Sequence, residues 1–394
     1  MSRFYSYINN ACKILEPYKG DVPFSIYIKQ FFSKEKKFGS SDRKQISSLC
    51  YNYFRVGHAL RKKINPETLL AATFLCRNEM SVLISNLKPE WEEKISWSPE
   101  EKINFLKLDI NLQSLFPFKE ELNDEIDFDP FCRSLLIQPD LFIRIRPQHG
   151  TATLDKIKKA GILFKQVTND CIEYPPATDL DKFLILDEEA VIQDYNSQQV
   201  LNYLLENNNQ YSSINDLNIW DCCAASGGKS ILIKDILTTN FKLTLSDIRP
   251  AIMANLQQRF KRASINNYRH FIADLSKSNT VPANEKFDII ICDAPCTGSG
   301  TWSRTPEQLY FFDSSAISNF NTLQKMIASN IIPHLKPNGL FFYITCSVFK
   351  KENEAVANYI QQELKLELLQ MKNLWGYEKK ADSMFVSVFS NSTS

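Results

Sequence analysis

From position 3 to about 115, apolar residues return every three or four positions, as Ile46, Leu49, Cys50 and Tyr53 do, and this period predicts helices. Pro89 and Pro99 punctuate the later ones, so the stretch is expected to form a small all-α bundle. Around Leu141 the pattern changes to alternation. Leu141, Ile143 and Ile145 face one way, Phe142, Arg144 and Arg146 the other, and Pro147 ends the run, which predicts a strand. A helical segment from Leu154 to Ala160 and short apolar runs near Ile162 and Phe183 follow, so 129–194 reads as a small α+β unit. From Leu217 onward strands and helices alternate, the signature of a parallel sheet covered by helices. The predicted strands are Leu217 to Cys222, Leu243 to Asp247, His270 to Ala273, Phe287 to Asp293 and Leu340 to Thr345. The clearest helix is Ala251 to Ser264, in which Ile252, Leu256 and Phe260 share one face. The expected organisation is multidomain: an all-α bundle over 1–128, a small α+β connector over 129–200, and an α/β Rossmann-like domain over 201–394.

A chain of 394 residues exceeds the usual size of one hydrophobic core, in keeping with several packed units. Its 46 basic residues are balanced by 45 acidic ones, so any polyanion site must be a local patch. One such patch is Lys34 to Lys37 with Arg43, Lys44 and Arg55, although a solvated helix face is the commoner meaning of such a run. The N-terminus lacks the apolar core of a signal peptide and no segment reaches membrane-spanning length, so the expectation is a cytoplasmic protein without membrane association. The ten cysteines show neither paired CxxC spacing nor neighbouring histidines, and are read as reduced thiols with no metal required.

Chemistry concentrates where the expected parallel strands end. The first strand runs into Asp221-Cys-Cys-Ala-Ala-Ser-Gly-Gly-Lys229-Ser230, where adjacent glycines let a ligand approach the backbone and a helix N-terminus presents free N–H groups. A rival reading exists: Gly228, Lys229 and Ser230 match the end of a phosphate-binding P-loop, and Ile289 to Asp293 imitates its magnesium-binding strand. Two features weigh against it. The opening glycine of a P-loop would fall at Cys223, and Asp247, ending the second strand, is placed to accept hydrogen bonds from ribose hydroxyls. Asp247 could equally cap the helix beginning near Pro250. Asp274, after the third strand, could receive an exocyclic amine of adenine, although alone such a residue is more often a turn former. A glycine turn and two acids in this order outline a nucleoside-cofactor pocket.

The fourth strand runs into Asp293-Ala-Pro-Cys296 and the fifth into Thr345-Cys346-Ser347, so two cysteines emerge at one sheet edge. A thiolate is a strong soft nucleophile once deprotonated, and Lys229 is a candidate for the cation that favours it. A single cysteine at a strand end is usually a small buried residue. Two of them flanking an aspartate in a cofactor cleft change that reading.

These residues resemble the RsmB/NOP family of RNA 5-methylcytosine methyltransferases along nearly the whole chain. Cys223, Ala224, Ala225, Ser226, Gly227, Gly228 and Lys229 are similar to its Cys-Ala-Ala-Pro-Gly-Gly-Lys cofactor motif, with Ser226 where proline is usual. Asp293 to Cys296 resembles its Asp-Ala-Pro-Cys motif, and Tyr343 to Ser347 with Glu352-Asn353-Glu354 its Thr-Cys-Ser and Glu-Asn-Glu signature. Gln193-Asp194 with Ser197-Gln198 resembles the segment leading into the catalytic domain. Gly39 to Arg43, continuing through Leu49-Cys-Tyr51 to Arg55, is more loosely similar to the NusB-like RNA-binding domain of bacterial ribosomal RNA members. Near the C-terminus, Ala381 to Phe385 departs from the usual glycine-containing run.

The resemblance implies a class I methyltransferase domain that uses S-adenosylmethionine, held by 223–229, Asp247, Asp274 and Asp293, to methylate carbon 5 of a cytosine in RNA. It favours 16S ribosomal RNA over transfer RNA. It also implies that Cys346 adds to carbon 6, that Asp293 stabilises the adduct near N3 and the exocyclic amine, and that Cys296 assists the elimination that releases the enzyme. The target must leave its stack, at roughly a few kcal/mol, and Arg144, Arg146, Arg259, Lys261 and Arg262 are candidates for phosphate contact. The competing functions are a noncatalytic RNA-binding assembly factor, a DNA cytosine methyltransferase that uses Cys296 as nucleophile, and a P-loop nucleotidase.

Overall fold

The computed structural model describes residues 3–79, 81–207, 211, 216–237, 239–281 and 284–392. The chain divides into two compact units, 1–138 with 301–314, and 139–300 with 315–394.

The first unit is helical, with helices Arg3–Leu15, Phe24–Lys34, Ser40–Arg55, Pro66–Leu75, Val82–Leu87, Pro99–Phe105, Phe128–Leu135 and Pro306–Phe311. The three- and four-residue period holds where it was read: Ile46, Leu49, Cys50 and Tyr53 are all buried. Caps mark several starts. Asn65 accepts from the N–H of Thr68, and Ser98 from that of Glu101, each just before a proline that suits the first helical turn. Arg55 does not belong to a phosphate-binding patch. It is buried, and its Nη1 donates to the carbonyls of Ile137 (3.0 Å) and Ser303 (2.6 Å).

In the second unit, four short strands form an antiparallel sheet of order β2-β3-β1-β4: β1 (Leu141–Ile145), β2 (Lys165–Gln166), β3 (Cys171–Tyr174) and β4 (Ala190–Ile192). The apolar runs near Ile162 and Phe183 flank this sheet's core. A larger sheet follows, made of β5 (Leu217–Asp221), β6 (Phe241–Asp247), β7 (Tyr268–Ile272), β8 (Phe287–Asp293), β9 (Leu335–Thr345), β10 (Glu367–Leu374) and β11 (Met384–Ser390). Its order is β10-β11-β9-β8-β5-β6-β7, with β5 to β9 parallel and β10 and β11 antiparallel. The chain starts at β5, winds outward through β6 and β7, then returns to β8 on the other side of β5. The carboxyl ends of β5 and β8 therefore diverge at a topological switch point, where open α/β sheets bind ligands.

Four of the five arginines and lysines suspected of phosphate contact instead hold the small sheet to the large one. Arg144 and Arg146, on and just after β1, converge on buried Asp235 of helix Gly228–Ile236 at 2.7 and 2.9 Å. Arg259 and Arg262 of helix Pro250–Arg262 grip Asp187 at 2.7 and 2.6 Å. Alternation could not reveal this, because it assumes one face of β1 is solvated whereas both are covered. Lys261 and Arg262 are both exposed, but only Arg262 of these two is tied to Asp187.

Candidate functional site

The turn after β5 is built by its own backbone. The N–H of Ala224 donates to the Ser246 carbonyl, that of Ala225 to Asp247 Oδ2 at 3.0 Å, and that of Gly227 to the Ala224 carbonyl. Gly227 has φ +81°, and a Cβ there would lie 2.6 Å from the ring of Phe260 and 3.1 Å from Leu256. Gly227→Ala is therefore expected to lose about 2 to 4 kcal/mol, from left-handed strain and overpacking together, measured as a lower urea midpoint at unchanged slope. Beside it, Gly228 opens helix Gly228–Ile236 and has free space where a side chain would stand.

Asp221 lies beneath this turn, fully buried, with Ser230 Oγ donating to its Oδ2 at 2.5 Å. The hydroxyl that would hold magnesium in a P-loop is thus turned to a strand-end carboxylate. Burial pushes Asp221 up to about 7, against the hydrogen bond from Ser230. The folded chain consequently binds a proton here that the unfolded chain releases near pH 4, so this group's contribution falls as pH rises from about 4 to 7. In Asp221→Asn, which stays neutral, the melting temperature is expected to fall less between pH 5 and pH 8 than in the parent chain; an identical pH dependence would refute the assignment.

Asp247 ends β6 and accepts from Ala225 N and from the backbone N–H and guanidinium of Arg249, at 2.9 to 3.0 Å. Burial alone would raise it, but these bonds hold it below the usual carboxylate range. The helix that follows is capped at Arg249 without a side-chain cap bond, so Asp247 is not a conventional N-cap. Asp274, after β7, closes a turn by accepting from Ser276 N–H and Oγ and pairing with Lys277 at 3.2 Å. The Ser276 bond leads in holding it below its ordinary range.

At the end of β8, Asp293 Oδ2 pairs with Lys229 Nζ at 2.6 Å. Burial pulls the lysine down, but the charge and hydrogen bond of Asp293 outweigh it and keep the ammonium above its ordinary value. Cys346 also contributes to this field, so Lys229 lies within electrostatic reach of both the aspartate and that sulfur. Cys296 Sγ and Cys346 Sγ stand 3.4 Å apart. Contact with Cys346, then burial, pushes the Cys296 thiol well above its usual range.

What fixes the two cysteines is a carboxylate that the motif spacing alone did not assign. Glu352 is fully buried and accepts from Thr297 N (2.9 Å), Thr297 Oγ1 (2.6 Å), Ser347 Oγ (2.7 Å) and Gln324 Nε2 (3.0 Å). It thereby ties the residue after Cys296 to the residue after Cys346. Asn353 reinforces the second loop, accepting from Thr345 Oγ1 and donating to the Ser347 carbonyl. Gly300 completes the clamp: its N–H donates to the Cys346 carbonyl and its carbonyl accepts from Ser383 N, both at 2.9 Å. A Cβ on Gly300 would stand 2.2 Å from the Ser383 carbonyl oxygen. The divergent run 381–385 is thus anchored in the site, and Asp194 Oδ2 accepts the Asp382 N–H at 3.0 Å.

Residues 207–389 match the family model described as 16S rRNA methyltransferase RsmB/F. This stretch is similar to the RsmB/F methyltransferase domain. Among relatives, a Bacillus subtilis protein named as a probable ribosomal RNA small subunit methyltransferase B is 26% identical over 60% of this chain and 52% of its own length. The ribosomal RNA small subunit methyltransferase B of Shewanella oneidensis is 30% identical over 43% of this chain and 38% of its own. The chain thus spans about half the length, or less, of the curated relatives it matches. In fold, it resembles the crystal structure of PH0851, with a TM-score of 0.71, 19% identity and 98% of each chain covered. A methyltransferase homologue from Pyrococcus horikoshii gives 0.58 at 20% identity, over 74% of this chain and 98% of that one. The glycine turn, the acids after β6 and β7 and the paired cysteines all fall within the RsmB/F match, which removes the P-loop reading.

Proposed function

We propose that this chain transfers a methyl group from S-adenosylmethionine to carbon 5 of a cytosine in 16S ribosomal RNA, through a covalent adduct with Cys346. The observation that carries the reading is the Cys296–Cys346 sulfur pair beside the Asp293–Lys229 ion pair, at the carboxyl edge of a sheet whose glycine turn suits a nucleoside cofactor. The residues fit that cofactor: Gly228 leaves open space, the buried Asp221 Oδ1 has no hydrogen-bond partner, and Ile248, directly after Asp247, offers apolar surface that is 56% exposed. Residues 223–229, Asp247, Asp274 and Asp293 would hold it. It supplies an electrophilic methyl group.

Carbon 5 of cytosine is a poor nucleophile until the ring is activated by addition at carbon 6. The Cys346 thiolate adds there, and the C5–C6 π pair is released toward carbon 5 and the ring nitrogens. Asp293, held by Lys229, hydrogen-bonds the protonated N3 edge and stabilises the adduct. After alkylation the carbon 5 proton leaves and its electron pair expels the Cys346 sulfur. Cys296, 3.4 Å from that sulfur, assists release. The helical part, 1–128, is proposed to bind RNA and 129–200 to act as the connector to the methyltransferase domain, 201–394. Among the described residues no helix is long and apolar enough to cross a membrane, and the proposed substrate places the protein in the cytoplasm.

The test is transfer of labelled methyl from S-adenosylmethionine to unmodified small-subunit ribosomal RNA, large-subunit ribosomal RNA and transfer RNA, followed by nucleoside analysis. Label in 5-methylcytidine of small-subunit RNA is expected. Label only in transfer RNA would retain the chemistry and replace the substrate, and no label in any RNA would favour a noncatalytic assembly factor.

A further inference from the structure

Cys222 and Cys223, adjacent in sequence, meet the distant Cys292 where β5 and β8 run side by side. Cys222 follows β5 and donates its N–H to the Ile291 carbonyl at 2.9 Å, Cys292 belongs to β8, and Cys223 is the next residue along the turn. Their Sγ atoms all lie within 4.8 Å of one another. Three thiolates around one cation, each at about 2.3 Å, stand roughly 4 Å apart, inside the span these sulfurs already occupy. Parallel pairing of β5 with β8 fixes the backbone of two of the three, so the site is built on the rigid part of the domain.

We propose that Cys222, Cys223 and Cys292 form a trigonal site for a soft d10 cation, with Cu(I) the ion that fits it. Thiolate donors select soft ions. Zinc completes a tetrahedron with a fourth ligand, and among the described residues no histidine or carboxylate joins the group. Cu(I) is satisfied by three sulfurs. Cys222 and Cys292 are buried among Trp220, Ile290 and Phe341, which excludes water as an additional ligand, whereas half-buried Cys223 opens the way in from the turn. Each coordinating thiol gives up its proton, so affinity rises with pH. The charge of Arg249 acts on Cys223 and offsets part of the negative charge this creates. The site does not depend on the methyltransferase reading.

Cys296 and Cys346 are the alternative thiol pair, so the experiment must separate the two. The reduced full chain is titrated anaerobically with Cu(I), added as its acetonitrile complex, in competition with the chromophoric chelator bathocuproine disulfonate. One tightly held equivalent is expected for the parent chain and for the C296S/C346S double variant, with a three-sulfur shell near 2.3 Å by X-ray absorption. C292S and C223S are each expected to lose at least about 100-fold in affinity, beyond what outer-shell changes cost. C223S changes a half-buried position, so it decides the matter if C292S does not fold. No competition by the parent chain, a two-sulfur shell, or binding lost in C296S/C346S and kept in C223S would each overturn the proposal.

Discussion

Cys346→Ala is expected to lower methyl transfer to RNA by at least about 10³-fold while leaving S-adenosylmethionine affinity within about twofold, because it removes the nucleophile and no part of the turn at 223–229. Cys296→Ser is expected to behave differently. Its partner sulfur remains 3.4 Å from where the lost thiol stood, so Cys346 still adds to the ring, but release is slowed and an RNA–protein adduct should accumulate that survives denaturing electrophoresis. The two variants thus separate addition from elimination. The measurement is labelled methyl transfer under single-turnover conditions, with electrophoresis of the same samples. Full turnover in Cys346→Ala combined with loss in Cys296→Ala would exchange the roles and make Cys296 the nucleophile.

Most of this site was legible because its parts sit at strand ends, where hydrophobic runs stop at chemically distinctive residues. Each of the five predicted parallel strands lies where an observed strand does, and Asp221, Asp247 and Asp293 end theirs. The antiparallel pair β10 and β11 escaped: β10 is a half-exposed edge with no clean alternation, and β11 is buried on both faces, so neither carries period-two patterning. Residues 301–314 follow the Pro-Cys loop in sequence yet cluster with the helical unit, a long-range choice that local pattern does not encode. Charge was misread for a related reason. Arg144, Arg146, Arg259 and Arg262 look like a polyanion surface in sequence, and only their carboxylate partners Asp235 and Asp187 reveal internal ion pairs. The trio Cys222, Cys223 and Cys292 was invisible to spacing rules, since only strand pairing brings Cys292 to the two adjacent cysteines.

Glu352 should matter almost as much as the nucleophile, although it is a positioning residue that touches neither sulfur. Its carboxylate collects four hydrogen bonds from Thr297, Ser347 and Gln324 in a site closed to water. Glu352→Ala removes four hydrogen bonds to a buried carboxylate, while Gln324 keeps the Pro295 carbonyl and Ser347 and Thr297 keep Ser299 Oγ, so a loss of about 2 to 4 kcal/mol is expected. Glu352→Gln is the sharper test, because it keeps the shape but turns an amide donor toward groups that are themselves donors. The loops after Cys296 and Cys346 then lose their common anchor. A displacement near 1 Å at the reacting sulfur lowers kcat by about 10²-fold, whereas the turn that would hold the cofactor is untouched. The expected result for Glu352→Gln is therefore a large fall in kcat, a small change in the KM for RNA, and unchanged S-adenosylmethionine binding by calorimetry, with partial recovery in Glu352→Asp. Equal loss of cofactor binding and turnover would mean that Glu352 supports the domain as a whole, and that the sulfur pair is held by the sheet alone.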